Sequence, residues 1–338
     1  MKKRIISLVL MLALVATMVV APVSAAGKVE NTTTPTDACP CGCGKTLDKV
    51  NWQPWEGNAA TGHYYLAEDY VQVDERIVVA GEKVVFDLRG NTITTEGKTR
   101  LFLVNGYLAV IDTVGGGRLT SKSNTADTGG VVQVVDNEIP GALFELYSGT
   151  VTLDPEAGRA KTGGLVYVGS GATFRMYDGL LLNGKSNGYG GCIGSLENNS
   201  VLEVLGGSII GGEANANWTS GGNIYAASDD KTGVTLSADE NGNPPLICHG
   251  NAANYGGNLY AKNIVTVNAA HFHSGEASLG MDFYATGSAS TLVLGEGVVG
   301  TIHMNAGKEL LTSAVYGGAI ENITCKATNA TFLMDTTY

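Results

Sequence analysis

The sequence predicts an all-β chain wound as a parallel β-helix, a solenoid with three strands per coil, preceded by an N-terminal cap. A segment of about thirty residues recurs six times between Phe144 and Met304, with copies beginning at Phe144, Phe174, Leu202, Val234, Val265 and Leu292. The intervals are 30, 28, 32, 31 and 27 residues, a period that marks stacked coils or an array. Each copy opens on a short alternating strand such as Phe174-Arg175-Met176-Tyr177, then takes a second apolar step such as Gly207-Ser208-Ile209. A third strand follows a glycine pair, as in Gly190-Gly191-Cys192-Ile193 and Gly221-Gly222-Asn223-Ile224-Tyr225. After the first 26 residues no stretch of ten or more carries a helical apolar stripe. A propeller blade, with four strands in about 40 or more residues, fits this period less well.

Residues 1–26 carry Lys2, Lys3 and Arg4, a largely apolar run from Ile5 to Val20, and the small stretch Val23-Ser24-Ala25-Ala26. This is the pattern of a secretory signal cleaved after Ala25 or Ala26. The run approaches membrane-spanning length, but the small-residue site favours cleavage over an uncleaved anchor. No later segment is apolar enough to span a membrane, so the mature chain is expected to be secreted or held at the cell surface. Residues 27–38, with Asn31-Thr32-Thr33-Thr34-Pro35-Thr36, read as a polar linker. Residues 39–66, which hold Cys39, Cys41, Cys43, Trp52, Trp55, Tyr64 and Tyr65, read as the cap that an open coil end requires. Residues 67–338 are assigned to the β-helix.

Loss of the signal removes three positive charges and moves the formal net charge from −11 to −14. Such a surface repels phosphate backbones and anionic lipid, so nucleic acid is not an expected partner. The six cysteines lack the spacing of a small disulfide scaffold. Cys192 and Cys248 lie in apolar strand context and read as small core residues.

Alternation sends Phe144, Leu146, Phe174, Met176, Leu202, Val204, Val265 and Val267 to one face, the interior. One coil cannot bury that face alone. Stacking coils at about 4.8 Å pairs the backbone and makes the core continuous. Glycine pairs permit the tight corners, and Asn223 and Asn258, each just after such a pair, are placed to stack as an amide ladder.

The run Val84-Val85-Phe86-Asp87-Leu88-Arg89-Gly90-Asn91-Thr92-Ile93-Thr94 resembles the opening coil of right-handed pectate-lyase-like β-helix proteins. The cysteine cluster, Trp52, Trp55 and Tyr64-Tyr65-Leu66 look like the N-terminal region of exported β-helix proteins of Firmicutes. Ile247-Cys248-His249-Gly250-Asn251-Ala252 before Gly256-Gly257-Asn258-Leu259, together with Gly317-Gly318-Ala319-Ile320, resembles the repeats of chlamydial polymorphic outer-membrane proteins, with Cys248 where those repeats carry Phe. These resemblances imply a right-handed coil. They leave function open, because a fold does not fix an activity.

Several constellations bear on chemistry. Cys39, Cys41 and Cys43 could ligate a structural zinc through thiolates, provided His63 folds back as a fourth ligand; disulfides or free thiols are the competing reading. Glu156, Lys185, Glu213, Asn251 and Glu276 occupy comparable turn positions and are expected to form an outward row. Glu213 and Glu276 are the candidate acid and base, although two coils, about 10 Å, separate them, slightly more than a glycosidase pair requires. Pectate-lyase-like enzymes would need a carboxylate cluster for Ca²⁺ and a basic residue, and Asp87, Asp112 and Asp178 do not gather into one. Arg175 and Glu203 are placed for a cross-strand ion pair. His271 and His273 flank an inward Phe272, with Asp282 nearby in sequence, as a weak metal pair. Tyr167, Tyr225, Tyr260 and Tyr284 share a third-strand position and form either an inter-coil stack or a sugar-binding row.

The function expected from these residues is a secreted or cell-surface bacterial protein without catalytic activity, serving adhesion or glycan binding. The alternative is a carbohydrate-active enzyme, a polysaccharide lyase or glycoside hydrolase.

Overall fold

The computed structural model describes residues 38–334 apart from 58, 74–75, 97–98, 123–127, 136–140, 228–232, 307–310, 316–318 and 326–329. Of residues 263–264 and of those beyond 286 only the backbone is described. The expected signal, the linker up to residue 37 and the pair Gly317-Gly318 lie outside the described residues. Among those described, no helix is long and apolar enough to cross a membrane.

The chain is a right-handed parallel β-helix, the hand that parallel crossovers take. One ladder stacks Leu143–Leu146, Thr173–Met176, Val201–Val204 and Gly233–Leu236. Its register sets Phe144, Phe174, Leu202, Val234, Val265 and Leu292 in one column, so the six repeat starts lie directly over one another. A second ladder stacks Thr150–Leu153, Leu180–Leu182, Ser208–Ile210 and Leu246–Cys248. A third stacks Val132–Val134, Val166–Val168, Ile193–Ser195 and Ile224–Ala226. The strands Leu259–His273 and Phe283–Ala306 bend through the corners and serve more than one ladder. Between the second and third ladders a short additional one joins Ala160–Thr162, Lys185–Tyr189, Glu213–Ala214 and Asn251–Ala252.

Inward residues of the three main ladders make one continuous core. Phe144 and Phe174 stack at 5.2 Å and Phe272 packs on Phe283 at 5.9 Å, all four essentially without solvent exposure. Each such side chain contributes about 1.5–3 kcal/mol through burial. Where a corner follows, the first glycine of each pair is left-handed: φ is 63° at Gly163, 65° at Gly190, 67° at Gly221 and 62° at Gly256. Behind the pairs, a buried polar row runs along the solenoid. Asn223 Nδ2 donates to Asn258 Oδ1 at 2.9 Å, and Asn258 Nδ2 donates to Asp282 Oδ1 at 2.8 Å. The amide ladder expected of Asn223 and Asn258 is therefore present, and Asp282 extends it.

At the N-terminal end the first ladder continues through Phe102–Ile111, Ile77–Asp87, Gly62–Tyr65 and finally Trp52–Pro54. Residues 39–66 contribute to the structure in two ways. Trp55 is buried at the end of the core, 5.0 Å from Phe86 and 5.3 Å from Tyr64. Cys39, Leu47, Val50 and Trp52 instead lie on the outer face of the first ladder, against Val85, Ala109, Tyr107 and Tyr147. That face also holds the Arg175 to Glu203 ion pair, at 2.5 Å, which Glu145 extends at 2.8 Å. Glu145 is buried, and its carboxylate accepts from Tyr107, Tyr147 and Tyr177 at 2.7, 3.1 and 3.3 Å. This hydrogen-bonded shell is what permits a charge beneath the N-terminal segment.

Candidate functional site

The middle of the third ladder aligns Gln133, Tyr167, Gly194, Tyr225, Tyr260 and Tyr284. The four tyrosines named from sequence do share one register. Gly194 interrupts them, and the ring of Tyr189 takes up the stack, 4.4 Å from Tyr225. Tyr225 lies 4.8 Å from Tyr260, and Tyr260 lies 5.6 Å from Tyr284, both with nearly parallel rings. Tyr255 caps Tyr284 at 4.5 Å. Most ring faces are thus spent on one another, and burial among neighbouring rings pushes the Tyr260 hydroxyl up to about 12. Tyr167 stands apart. It donates to Glu197 at 3.0 Å and lines a cavity of about 330 Å³ with Gln133, Ser170 and Glu197.

Beside the stack, Ser220 bridges to Tyr255 and Tyr255 to Leu279, forming the rim of the same corner. The loop before Ser220 holds Trp218 out to solvent at 81% exposure, although its base is tied down. Buried Thr219 donates its hydroxyl to the carbonyls of Ala214 and Ala216 at 2.5 and 2.9 Å, and Asn254 Nδ2 donates to Asn217 O at 3.2 Å. Among the described residues Trp218 is the most exposed large apolar side chain, and it sits on a pinned loop. Tyr255 and Met281 on neighbouring coils are also exposed. In sequence Trp218 shows only as a lone tryptophan after the polar run Asn215-Ala216-Asn217 and before a glycine pair.

The candidate acid and base do lie in one row, which runs Lys185, Glu213, Asn251, Glu276. Glu156 is not part of it: Ala160 pairs with Ser186, which sets Arg159 beside Lys185, while the Glu156 amide donates to the Asp154 carboxylate. Glu213 is paired with Arg159 at 2.7 Å, and Glu276 accepts from Asn251 Nδ2 at 3.2 Å. Asp87 accepts from Thr113 and Arg89, and Asp112 accepts from the amides of Gly90, Gly115 and Gly117. These carboxylates serve turns. Comparison with protein-family models, with curated proteins and with solved structures gives no match.

The cysteine cluster converges with His63. The left-handed glycines Gly42 and Gly44, with φ of 70° and 73°, curl the Cys39 to Lys45 turn, closed by Cys39 N donating to Lys45 O at 2.8 Å. His63 projects from the outer face of the first ladder beneath it. Its Nε2 lies 3.0 Å from Cys39 Sγ and 3.3 Å from Cys41 Sγ, and those two sulfurs are 3.0 Å apart. With Cys43 included, the four ligand atoms lie within 4.8 Å of one another. Tetrahedral zinc, with bonds of about 2.3 Å to sulfur and about 2.0 Å to nitrogen, sets its ligands roughly 3.5–3.8 Å apart. Cys39, Cys41, Cys43 and His63 could therefore hold a metal. Burial, with the Lys45 charge second, lowers the His63 pKa and favours the neutral, ligating imidazole. The Lys45 backbone amide lowers Cys43, whereas burial lifts Cys39 to about 12, so a cation would have to draw that thiol's proton off.

Proposed function

We propose that this chain is an exported, non-catalytic surface protein that binds glycans at the corner carrying Trp218, beside the tyrosine stack. The observation that carries this reading is an indole exposed on a loop whose base is hydrogen-bonded, two residues before Ser220, which bridges to exposed Tyr255. A sugar ring lays its C–H face on such a group, and pre-ordering of the loop lowers the entropic cost of contact. The tyrosine stack, its faces already engaged, holds the corner straight. Kinship with pectate-lyase-like proteins, chlamydial repeat proteins and exported Firmicutes β-helix proteins belongs to the same reading, as do a signal on residues 1–26 and a host or cell-surface partner rather than nucleic acid. The pairing of Glu213 with Arg159 and the contact of Glu276 with Asn251 weigh against a lyase or glycosidase. A glycan array run beside reducing-end and unsaturated-product assays tests this. Binding to at least one glycan class without product release is expected; product release that disappears in Glu213→Ala or Glu276→Ala would make the protein an enzyme instead.

We further propose that the metal at Cys39, Cys41, Cys43 and His63 is a structural zinc that clamps the 39–52 segment onto the first ladder. Purified protein should retain an equivalent of zinc that His63→Ala loses. In that variant protease cutting within residues 39–52 should rise while the β-sheet circular dichroism stays unchanged. Equal zinc content and equal protease resistance in the two proteins would refute the clamp.

A further inference from the structure

A second cysteine–histidine cluster lies on the opposite stretch of the solenoid and is built differently. Cys248 ends the strand Leu246–Cys248, and its register partner in the next coil is His273. The same outward column holds Thr152, Leu182 and Ile210 in the preceding coils, so ligand side chains replace bland ones at two consecutive levels. The next column is the left-handed turn position, occupied by Asn183, Gly211, His249 and Ser274, with φ between 54° and 72°. At this height alone it carries an imidazole, that of His249. One ligand atom from each of Cys248, His249 and His273 lies within 4.8 Å of the others, and the two imidazoles meet edge to face at 5.8 Å.

Cys248 is buried, as expected of a small core residue, but unlike Cys192 it lies outside the main apolar cluster. It lies under two exposed histidines. Its carbonyl accepts from Asn223 Nδ2 at 2.8 Å and from Gly211 N at 3.1 Å, and the His273 carbonyl accepts from Asn258 Nδ2 at 3.0 Å. The buried asparagine row thus fixes the backbone of two ligands, the kind of support that keeps a metal site in shape. His273 Nδ1 lies 3.2 Å from Ser274 Oγ, which leaves Nε2 for a metal. His271, the partner expected for His273 from the sequence, is exposed on the same strand but is not in the cluster, and Asp282 is engaged inside by Asn258.

We propose that Cys248, His249 and His273 bind a late transition-metal ion such as Zn²⁺ in a surface site with one coordination position left open. One thiolate with two imidazoles suits borderline-soft ions and not Ca²⁺ or Mg²⁺. Three protein ligands leave a position for water or for a donor from a partner. The site is separate from the clasp at Cys39 and independent of glycan binding.

The test is Co²⁺ titration of the full chain, followed by its visible ligand-field and thiolate charge-transfer bands. Wild type should take up one equivalent more than His273→Ala or His249→Ala, or the extra equivalent should bind at least about 100-fold more weakly in those variants, because loss of an outer partner alone costs 10–100-fold. His271→Ala should match wild type. Both cluster histidines are exposed, so the variants should keep the wild-type circular dichroism. Equal stoichiometry and affinity in His273→Ala and wild type would overturn the site, as would an equal loss in His271→Ala, which would reveal mere surface imidazole binding.

Discussion

Gly222→Ala is expected to prevent the solenoid from forming rather than to weaken it slightly. A Cβ at this position would lie 2.2 Å from Asn251 N, 2.2 Å from Gly257 O and 2.6 Å from Gly250 C. All three are backbone atoms of the next coil, and no rotamer relieves such a clash. The neighbouring backbone is tied as well: Gly191 N donates to Gly222 O at 2.8 Å, and Gly222 N donates to Gly256 O at 3.1 Å. Parting the coils to admit a methyl group would break these bonds and open the core between Ile193, Ile224 and Leu259. The cost should exceed about 4 kcal/mol, in the range reserved for severe backbone effects. Gly233→Ala is the control, because its Cβ would meet nothing within 4 Å, and it should stay within about 1 kcal/mol of wild type. Soluble yield and urea midpoints decide the matter; similar midpoints for the two variants would contradict the close-packed corner.

Asn223→Ala should produce the second large loss, about 3–5 kcal/mol, since each buried group left unpartnered costs about 1–3 kcal/mol. The Asn223 amide accepts from Gly212 N at 2.7 Å and donates to Cys248 O at 2.8 Å and to Asn258 Oδ1 at 2.9 Å, with no solvent contact. Alanine would strand partners in two successive coils. Urea unfolding measures the effect. A change under about 1 kcal/mol would mean that the row is replaceable and that the apolar core alone sets the register.

The fold was legible because a thirty-residue period and strict alternation give the same answer at every level. One residue of slip would turn Phe144, Phe174 and Leu202 outward together. The amide ladder was legible for a similar reason, since Asn223 and Asn258 both follow glycine pairs at the same offset. Sites were harder to read, because they depend on where side chains end rather than on which face they leave. Tyr189 and Tyr255 lie outside the third-ladder strands and reach the tyrosine row only through the corner geometry. Arg159 replaces Glu156 in the outward row because the turn before Ala160 is longer than the repeat offset implied. Cys248 sits in an apolar run, and only the register with His273 and the left-handed φ of His249 show that it faces out beneath histidines. His63 was the exception: its sequence separation from Cys39 says nothing, but its outward position on the first ladder sets it beneath the curled cysteines.

We propose that this solenoid presents a glycan-binding surface at the Trp218 corner and performs no chemistry there. The most direct measurement is calorimetric titration of a glycan that the wild-type protein binds, repeated on Trp218→Ala, with product formation monitored in the same solutions. Trp218 is solvent-exposed, so its removal should leave the thermal midpoint unchanged while weakening binding by about tenfold or more, the scale of a tryptophan contact. Neither protein should release product. Unaltered affinity in Trp218→Ala would rule out the Trp218 corner as the binding site, and turnover of the glycan by the wild-type chain would make the protein an enzyme.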